Sequence, residues 1–390
     1  MVEYRLATQE QKELAEGARK ILEKELRPRL AELEHANNDL GGFPLDIMKI
    51  MVDAGYYAMD IPEEYGGLGL DNVTQCLIYE EMSKVDAGFA FNLHGCDQYW
   101  EYFEKSKLSR QDKQAWADRL LSGNALGAFC LTESQAGSDA AALRTTAIYD
   151  EAADEWIING TKCFVTNGPC ADHFFIVAWT DKSKSSGKGM TMFLVEKERG
   201  VKVGSIEKKL GLKLSSTSEI ILDNIRVPSD HVIGEVGQGF KIALGTVNKA
   251  RVISMVFALG IAQAAVDYAV EYAQTRQTFG KRIIDHQGLA FLISNMQIRT
   301  DASRALLYYG ANMLDQGLPM DTIACSTKVF ISDATMQTAL DAVQVFGGYG
   351  YMKDYPVEKL MRDAKIFQIF DGTNQINQMV IASTLDKLHK

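Results

Sequence analysis

The chain has 390 residues, enough for two or three domains. It carries 41 Lys and Arg against 51 Asp and Glu, a formal net charge of −10, and is 46% hydrophobic. The apolar content excludes a disordered chain. The acidity excludes a nucleic-acid binder that works through a global basic footprint.

The six cysteines (Cys76, Cys96, Cys130, Cys163, Cys170 and Cys325) show no C-x-x-C pair and no zinc spacing, and the six histidines add no metal motif. Structural cysteines in a reducing compartment, and no metal site, are the expectation. Met1 to Arg5 lacks the charged-then-apolar order of a secretory signal. The longest apolar stretch, Val252 to Val266, falls short of the ~20 residues needed to cross a bilayer and reads as a buried helix. No membrane span and a cytoplasmic location are expected.

In chain order, residues 8–128 read as helical. Thr8-Gln9-Glu10-Gln11 fits a capping box. Leu14, Ala18, Ile21 and Leu22 then line one helical face, and Pro28 ends or kinks that run. Helical spacing returns at 46–54, 72–106 and 110–122, with a Gly- and Pro-rich segment from Pro62 to Gly69 between the first two. From about Ala128 short β-branched and aromatic runs follow closely, at 174–179, 190–195 and 219–227. Asn159-Gly160 and Asn167-Gly168 predict tight turns. An antiparallel barrel or sandwich is expected there. From Phe240 the pattern is helical again, with long helices over 287–314, 320–347 and 375–388. The order α, then β, then α excludes a doubly wound sheet. No G-x-G-x-x-G follows a strand, so no Rossmann dinucleotide site is indicated.

Six segments carry a resemblance. Cys130-Leu131-Thr132-Glu133-Ser134-Gln135-Ala136-Gly137-Ser138-Asp139 is similar to the first signature of the acyl-CoA dehydrogenase family. Gln344, Gly347, Gly348, Tyr349, Gly350 and Tyr351, followed by Asp354, Lys359 and Asp363, resemble its second. Pro62 to Gly67, Phe164 to Gly168, Arg276 to Lys281 and Asp371 to Ile376 also match family segments in order. The resemblance implies an α+β multidomain chain with the acyl-CoA dehydrogenase fold. The expected domains are an N-terminal helical domain (1–128), a middle β-barrel (129–238) and a C-terminal four-helix bundle (239–390).

The implied chemistry removes a proton from Cα and a hydride from Cβ of an acyl thioester, with the flavin of FAD taking the hydride. Stabilising the enolate-like oxygen demands preorganised donors. By resemblance, Thr132 and Ser138 meet the flavin ring and pyrophosphate, and Phe164 and Thr166 face the ring. Arg276 pairs with the pyrophosphate of a flavin in a neighbouring subunit, its planar fork matching two oxygens. Phe279 and Gln287 border that adenosine end, and Gln344, Gly347, Gly348, Thr373 and Gln375 complete the cofactor set. Ser138, Asn248, Arg251 and Gly372 hold family substrate positions. Asn248 stands where an Asp is common, which leaves its contact with CoA doubtful. Arg276 implies at least a dimer, and the family a homotetramer built as a dimer of dimers. Electron-transferring flavoprotein or another acceptor takes the electrons.

The base has two candidates. Most relatives place a Glu before the Gly-Thr of the last motif, whereas this chain has Asp371, shorter by about 1.5 Å of reach. The alternative base position of some relatives is Ala250 here, which closes that route. Asp97 is the second candidate, on a helix whose Phe89, Phe91, His94, Tyr99 and Trp100 imply a bulky, partly polar pocket lining. Members that act on alicyclic acyl-CoAs lose the usual glutamate and use such an aspartate. A cyclohexane- or cyclohexene-carboxyl-CoA is therefore one expected substrate, and a short-, medium- or branched-chain acyl-CoA the alternative. A glutaryl-type reaction is disfavoured by Ala90, which stands where an Arg would be needed. A nitroalkane-oxidase-like flavin oxidase, which also uses Asp, and a non-catalytic scaffold are the rivals from other classes.

Overall fold

In the computed structural model, residues 7–36, 40, 42–97, 99–184 and 187–388 are described, without the side chains of Cys96, Asp97, Asp321 and Leu388. Helix α1 (Gln9–Glu25) starts at the expected capping box. The Gln11 amide donates to Thr8 Oγ1 at 3.2 Å, and the Thr8 amide donates to Gln11 Oε1 at 2.9 Å. Pro28 falls in a short 3₁₀ turn, Arg27–Arg29, ahead of α2 (Leu30–Leu33). Then come α3 (Leu45–Asp53), α4 (Asn72–Asp97), α5 (Trp100–Lys105) and α6 (Arg110–Leu121).

The continuous helix expected over 72–106 is broken. At Asp86 the backbone leaves helical geometry (φ −156°, ψ 114°), and its Oδ1 accepts from the Phe89 amide at 2.7 Å, which caps the second half of α4. Apolar periodicity runs through the break and hides it. The other oxygen of Asp86 meets Lys359 Nζ at 2.6 Å, so the kink is tied to the C-terminal helices.

The middle region forms one eight-stranded sheet: β1 (Gly127–Cys130), β2 (Thr146–Asp150), β3 (Glu155–Thr166), β4 (His173–Trp179), β5 (Met190–Glu196), β6 (Lys202–Ile206), β7 (Thr217–Pro228) and β8 (Val232–Ile233). Its order is β6-β7-β3-β2-β4-β5-β8, with β1 on β4. The sheet is mixed, because β1 and β2 both meet β4 in parallel. A purely antiparallel arrangement was the expectation. The Asn159-Gly160 turn is corrected too: both residues lie inside β3, at a bulge against β7 between Ile158 and Gly160. A Cβ on Gly160 would stand 2.2 Å from Thr145 Oγ1, so the glycine permits close strand approach here instead of a reversal. Asn167-Gly168 does turn the chain, with Asn167 at φ 66°.

The C-terminal region comprises α7 (Gly239–Ile253), α8 (Met255–Thr275), α9 (Gln287–Asp315), α10 (Asp321–Phe346), α11 (Val357–Ala364) and α12 (Asn374–Leu388). A small hairpin of β9 (Gln277–Thr278) and β10 (Lys281–Arg282) precedes α9. Helix α10 packs on α8, α9 and α12, and α4 lies along α8 and α9. The span Gly239–Thr275 is long and apolar enough to cross a membrane by composition, yet 89% of its most apolar window is buried inside the protein.

A buried polar network crosses the seam between α4, α8 and α9. Arg304 Nη2 donates to Glu80 Oε1 at 2.9 Å and to Gln263 Oε1 at 2.7 Å, while the Tyr308 hydroxyl donates to Glu80 Oε2 at 2.7 Å. Both ionic side chains are 7% exposed. Removing one partner leaves an uncompensated buried charge. Glu80→Ala is expected to lower unfolding stability by about 3–5 kcal/mol in a denaturant titration; a loss below about 1 kcal/mol would exclude this network as the main tie across the seam.

Candidate active site

Three elements converge: the end of β3, the second half of α4, and the turn Phe370–Thr373 before α12. The β3 end comes first. A register shift between Lys162 and Val165 turns Phe164 out of the sheet, at φ 56° and 65% exposed. An exposed aromatic held in a conformation that costs energy for a non-glycine residue is a ready platform for a flat ligand. Thr166, two residues on, is half-buried. Thr132 and Ser138 lie on the neighbouring loop, where Thr132 O accepts from the Cys163 amide at 3.0 Å and Ser138 is exposed.

That loop is anchored by a buried ion pair. Lys162 Nζ donates to Glu133 Oε1 at 2.9 Å, with side chains 0% and 4% exposed. Burial pushes the Glu133 carboxyl up. Lys162, the Thr145 hydroxyl and the Arg144 amide outweigh it and hold the carboxyl at about 2.

Helix α4 bridges the β3 end to the last turn. A Cβ on Gly95 would lie 3.1 Å from Asn167 Nδ2 and 3.4 Å from Thr166 Cγ2, so glycine allows the helix to touch the strand tip. Asn167 Nδ2 donates to Asn92 O at 3.2 Å and to Gly127 O at 3.3 Å. On the other side Phe91 stacks on Phe370 at 5.2 Å and meets Phe257 edge-on at 5.4 Å, and His94 lies 5.6 Å from Phe257. Of the five aromatics expected to line this pocket, only Phe91 and His94 are near Phe370 and Phe257. Phe89 stacks on Phe43, Tyr99 on Tyr102, and Trp100 packs against Tyr65, all in the core. Phe89 sits two residues before Phe91 in the same helical segment and so faces the opposite side, while Tyr99 and Trp100 come after α4 ends. The side chain of Asp97 lies outside the described residues.

Asp371 follows Phe370 at φ 54° and is half-buried. Arg251 on α7 is buried and donates from Nε to Asp371 O at 3.1 Å and from Nη1 to Asn248 Oδ1 at 2.7 Å. A Cβ on Gly372 would stand 3.2 Å from Arg251 Nη2, so Gly372, at φ 83°, allows that close approach. The expected substrate residues Arg251, Asn248 and Gly372 thus meet each other, and the guanidinium is engaged with the backbone of the turn. Burial pushes the Asp371 carboxyl up, opposed by the Ser254 hydroxyl, Lys328 and Arg251. Sequence reasoning missed Ser254, Lys328, Asn374 and Asn377. The signal for Lys328 was present, as it shares a helical stripe with the buried Ala324, Cys325, Ile331, Ser332 and Thr335.

Of the other expected cofactor residues, Arg276, Gly347, Gly348, Thr373 and Gln375 line two grooves that share no lining residue, and Phe279, Gln287 and Gln344 line neither. One, of about 420 Å³, is lined by Tyr272, Arg276, Thr278, Phe346, Gly347, Gly348 and others; Arg276 lies over the Tyr349 ring at 5.9 Å, and Phe279 protrudes 97% exposed. Gln287 and Gln344 are exposed. The second, of about 200 Å³, brings together Thr373, Gln375, Asp333 and Lys365. Donor hydroxyls, an outward aromatic and an arginine fork are the chemistry that a planar ring joined to a diphosphate needs.

The same architecture recurs among known proteins. Residues 8–124, 128–225 and 237–385 match the family models for the acyl-CoA dehydrogenase N-terminal domain, middle domain and C-terminal domain. An acyl-CoA dehydrogenase of Bacillus subtilis is 41% identical over 97% of this chain and 98% of its own. The butyryl-CoA dehydrogenase structure from Megasphaera elsdenii superposes with a TM-score of 0.91 at 36% identity, covering 98% of this chain and 100% of the other. An acyl-CoA dehydrogenase from Bacillus anthracis, solved with FAD, superposes at 0.90 with 30% identity, over 99% and 68%. Fold and site together define an oxidoreductase acting on CH–CH donors. The chain belongs to the acyl-CoA dehydrogenase family.

The Glu133 carboxyl is depressed in the folded protein, so its contribution is complete above the ordinary Glu range and is lost as pH falls toward about 2. Glu133→Gln is expected to flatten the acid side of the stability-versus-pH curve and to lower stability at neutral pH. Parallel curves for variant and wild type between pH 5 and 2 would remove this pair from the account of the loop.

Proposed function

We propose that this protein is an FAD-dependent acyl-CoA dehydrogenase for short acyl-CoA thioesters, with Asp371 as the base that takes the Cα proton. Bound FAD supplies the hydride acceptor. Thr132, Ser138, Phe164 and Thr166 would hold its ring and nearer phosphate, with Thr373 and Gln375 at a further contact. Arg276, Phe279, Gln287, Gln344, Gly347 and Gly348 would serve the flavin of a second subunit.

The observation that carries this reading is the placement of Asp371. Its carboxyl is half-buried, follows an aromatic wall, and sits among two cations and a hydroxyl that favour its ionised form. The backbone of its turn is tied to Arg251, which fixes the direction from which the carboxylate approaches a substrate. Phe91, Phe257 and Phe370 form a close aromatic group beside it, which supports a small acyl group and the exclusion of water. The similarity to butyryl-CoA dehydrogenase supports the same choice. The competing substrate, an alicyclic acyl-CoA, rests on the loss of the usual glutamate at position 371 and on Asp97 as the alternative base. Electron-transferring flavoprotein or another acceptor would receive the electrons. A dimer of dimers is the proposed assembly, since exposed Phe279 and Tyr351, 97% and 81% accessible, flank the Arg276 groove.

Purified protein is expected to be yellow. Butyryl-CoA should bleach the flavin faster than cyclohexanecarboxyl-CoA or cyclohex-1-ene-1-carboxyl-CoA. Bleaching by the alicyclic thioesters alone would overturn the short-chain assignment. Asp371→Ala is expected to keep its flavin and lose about 10²–10⁴-fold in substrate-dependent reduction rate; wild-type turnover in that variant would remove Asp371 as the base. Phe279→Asp should shift the assembly to smaller species in sedimentation, and an unchanged mass would exclude this face from the contact.

A further inference from the structure

Lys328 sits in the middle of α10 with 0% of its surface exposed. Burying an ammonium costs several kcal/mol unless an opposite charge and hydrogen bonds compensate. Among the described residues no carboxylate makes an ion pair with it. Its Nζ donates instead to Asn374 Oδ1, a neutral oxygen, at 2.7 Å. Asn374 opens α12 three residues after Asp371, and its amide nitrogen donates to Ser332 Oγ at 3.0 Å and Asp333 Oδ1 at 2.8 Å. Two further ties reach the same turn: Asn377 Nδ2 donates to Gly372 O at 2.8 Å, and Arg251 Nε to Asp371 O at 3.1 Å.

A neutral amide side chain could hold Asn374 equally well without a buried charge. The cation therefore needs another reason. The charges that face Lys328 are Asp371 across the turn, Asp333 on its own helix and Arg251 on α7, with the Cys325 thiol one turn away. Those that face Asp371 are Lys328 from α10 and Arg251 from α7, with the Ser254 hydroxyl at the end of α7. On the other side Phe91 stacks against Phe370, the residue before Asp371. Helix α12 presents Asn374 and Asn377, both neutral.

We propose that Lys328 is a positioning residue for the reaction: it tethers the base-bearing turn through Asn374 and supplies the buried positive charge that keeps the Asp371 carboxylate ionised and ready to accept a proton. This rests on the assignment of Asp371 as the base. Burial is the larger effect on the Asp371 carboxyl and raises it; the two cations oppose that rise, so losing either one would raise it further. Arg251 acts on the backbone of the turn, and Lys328 on its exit into α12.

The test uses the flavin-loaded enzyme and the pH dependence of kcat on butyryl-CoA. Lys328→Met removes both charge and tether, Lys328→Gln keeps a donor for Asn374 but no charge, and Lys328→Arg keeps the charge. In the Met and Gln variants the acidic limb is expected to move to higher pH by about one unit, with kcat below the limb falling about tenfold. Lys328→Arg is expected to leave the limb within about 0.3 unit of wild type. Should the Met variant fail to fold, the Gln variant, closer in shape and polarity, decides the question. A limb that stays in place in the Gln variant overturns the proposal. Asp371→Asn separates the two assignments: wild-type turnover there removes Asp371 as the base, whereas an inactive Asn variant with an unmoved limb in Lys328→Gln removes only Lys328.

Discussion

The candidate site depends on how a short turn, Phe370 to Thr373, is held. Asp371 and Gly372 both adopt positive φ, so the turn is conformationally costly and persists only because its surroundings over-determine it. Arg251 grips its first carbonyl, Asn377 the next two, and Asn374 locks its exit onto α10. The grips come from α7 and α12, and through Asn374 the turn is also fixed to α10. The position of the carboxylate is thus a property of the helical packing and not of the turn itself.

The second constraint is the α4 seam. This helix belongs to the N-terminal region, yet it touches the β3 tip through Gly95 and the last turn through Phe91. Its mid-point break at Asp86 is capped locally and tied to Lys359, and the Glu80–Arg304 network fixes its first half on α9. Buried charges are expensive, and here they lie at the joints between regions, where a wrong register would leave them unpaired. This helix thus bridges the β3 tip and the Phe370–Thr373 turn.

Much of the outline was legible in the residues. The α–β–α order, the capping box at Thr8, the turn at Asn167 and the long C-terminal helices all follow from local periodicity and turn chemistry. The failures share one cause. Asn159-Gly160 has hairpin chemistry but sits in a strand bulge, because Thr145 crowds that point and only glycine fits. The run through Asp86 looks continuous because its apolar spacing does not change across the break. Phe89, Tyr99 and Trp100 resemble pocket residues by position along the chain, but Phe89 lies on the opposite helical face from Phe91 and the other two follow the end of α4, so all three pack in the core. For the site, Asp371, Arg251, Asn248 and Gly372 were picked out by resemblance, while Ser254 lies in no motif and Lys328 showed only as a member of a buried helical stripe.

Local patterns in the chain settle most of its element types and their order, because caps, turns and apolar spacing act over a few residues; they left Asp371 and Asp97 as two candidates for the base. Tertiary packing alone decided that the Arg251 guanidinium meets the Asp371 backbone, that only Phe91 and His94 of their group join the aromatic wall, and that the buried Lys328 acts on the Asp371 carboxyl. Those outcomes join residues 43 to 279 positions apart, and no short-range preference encodes which side chains a folded core will bring together.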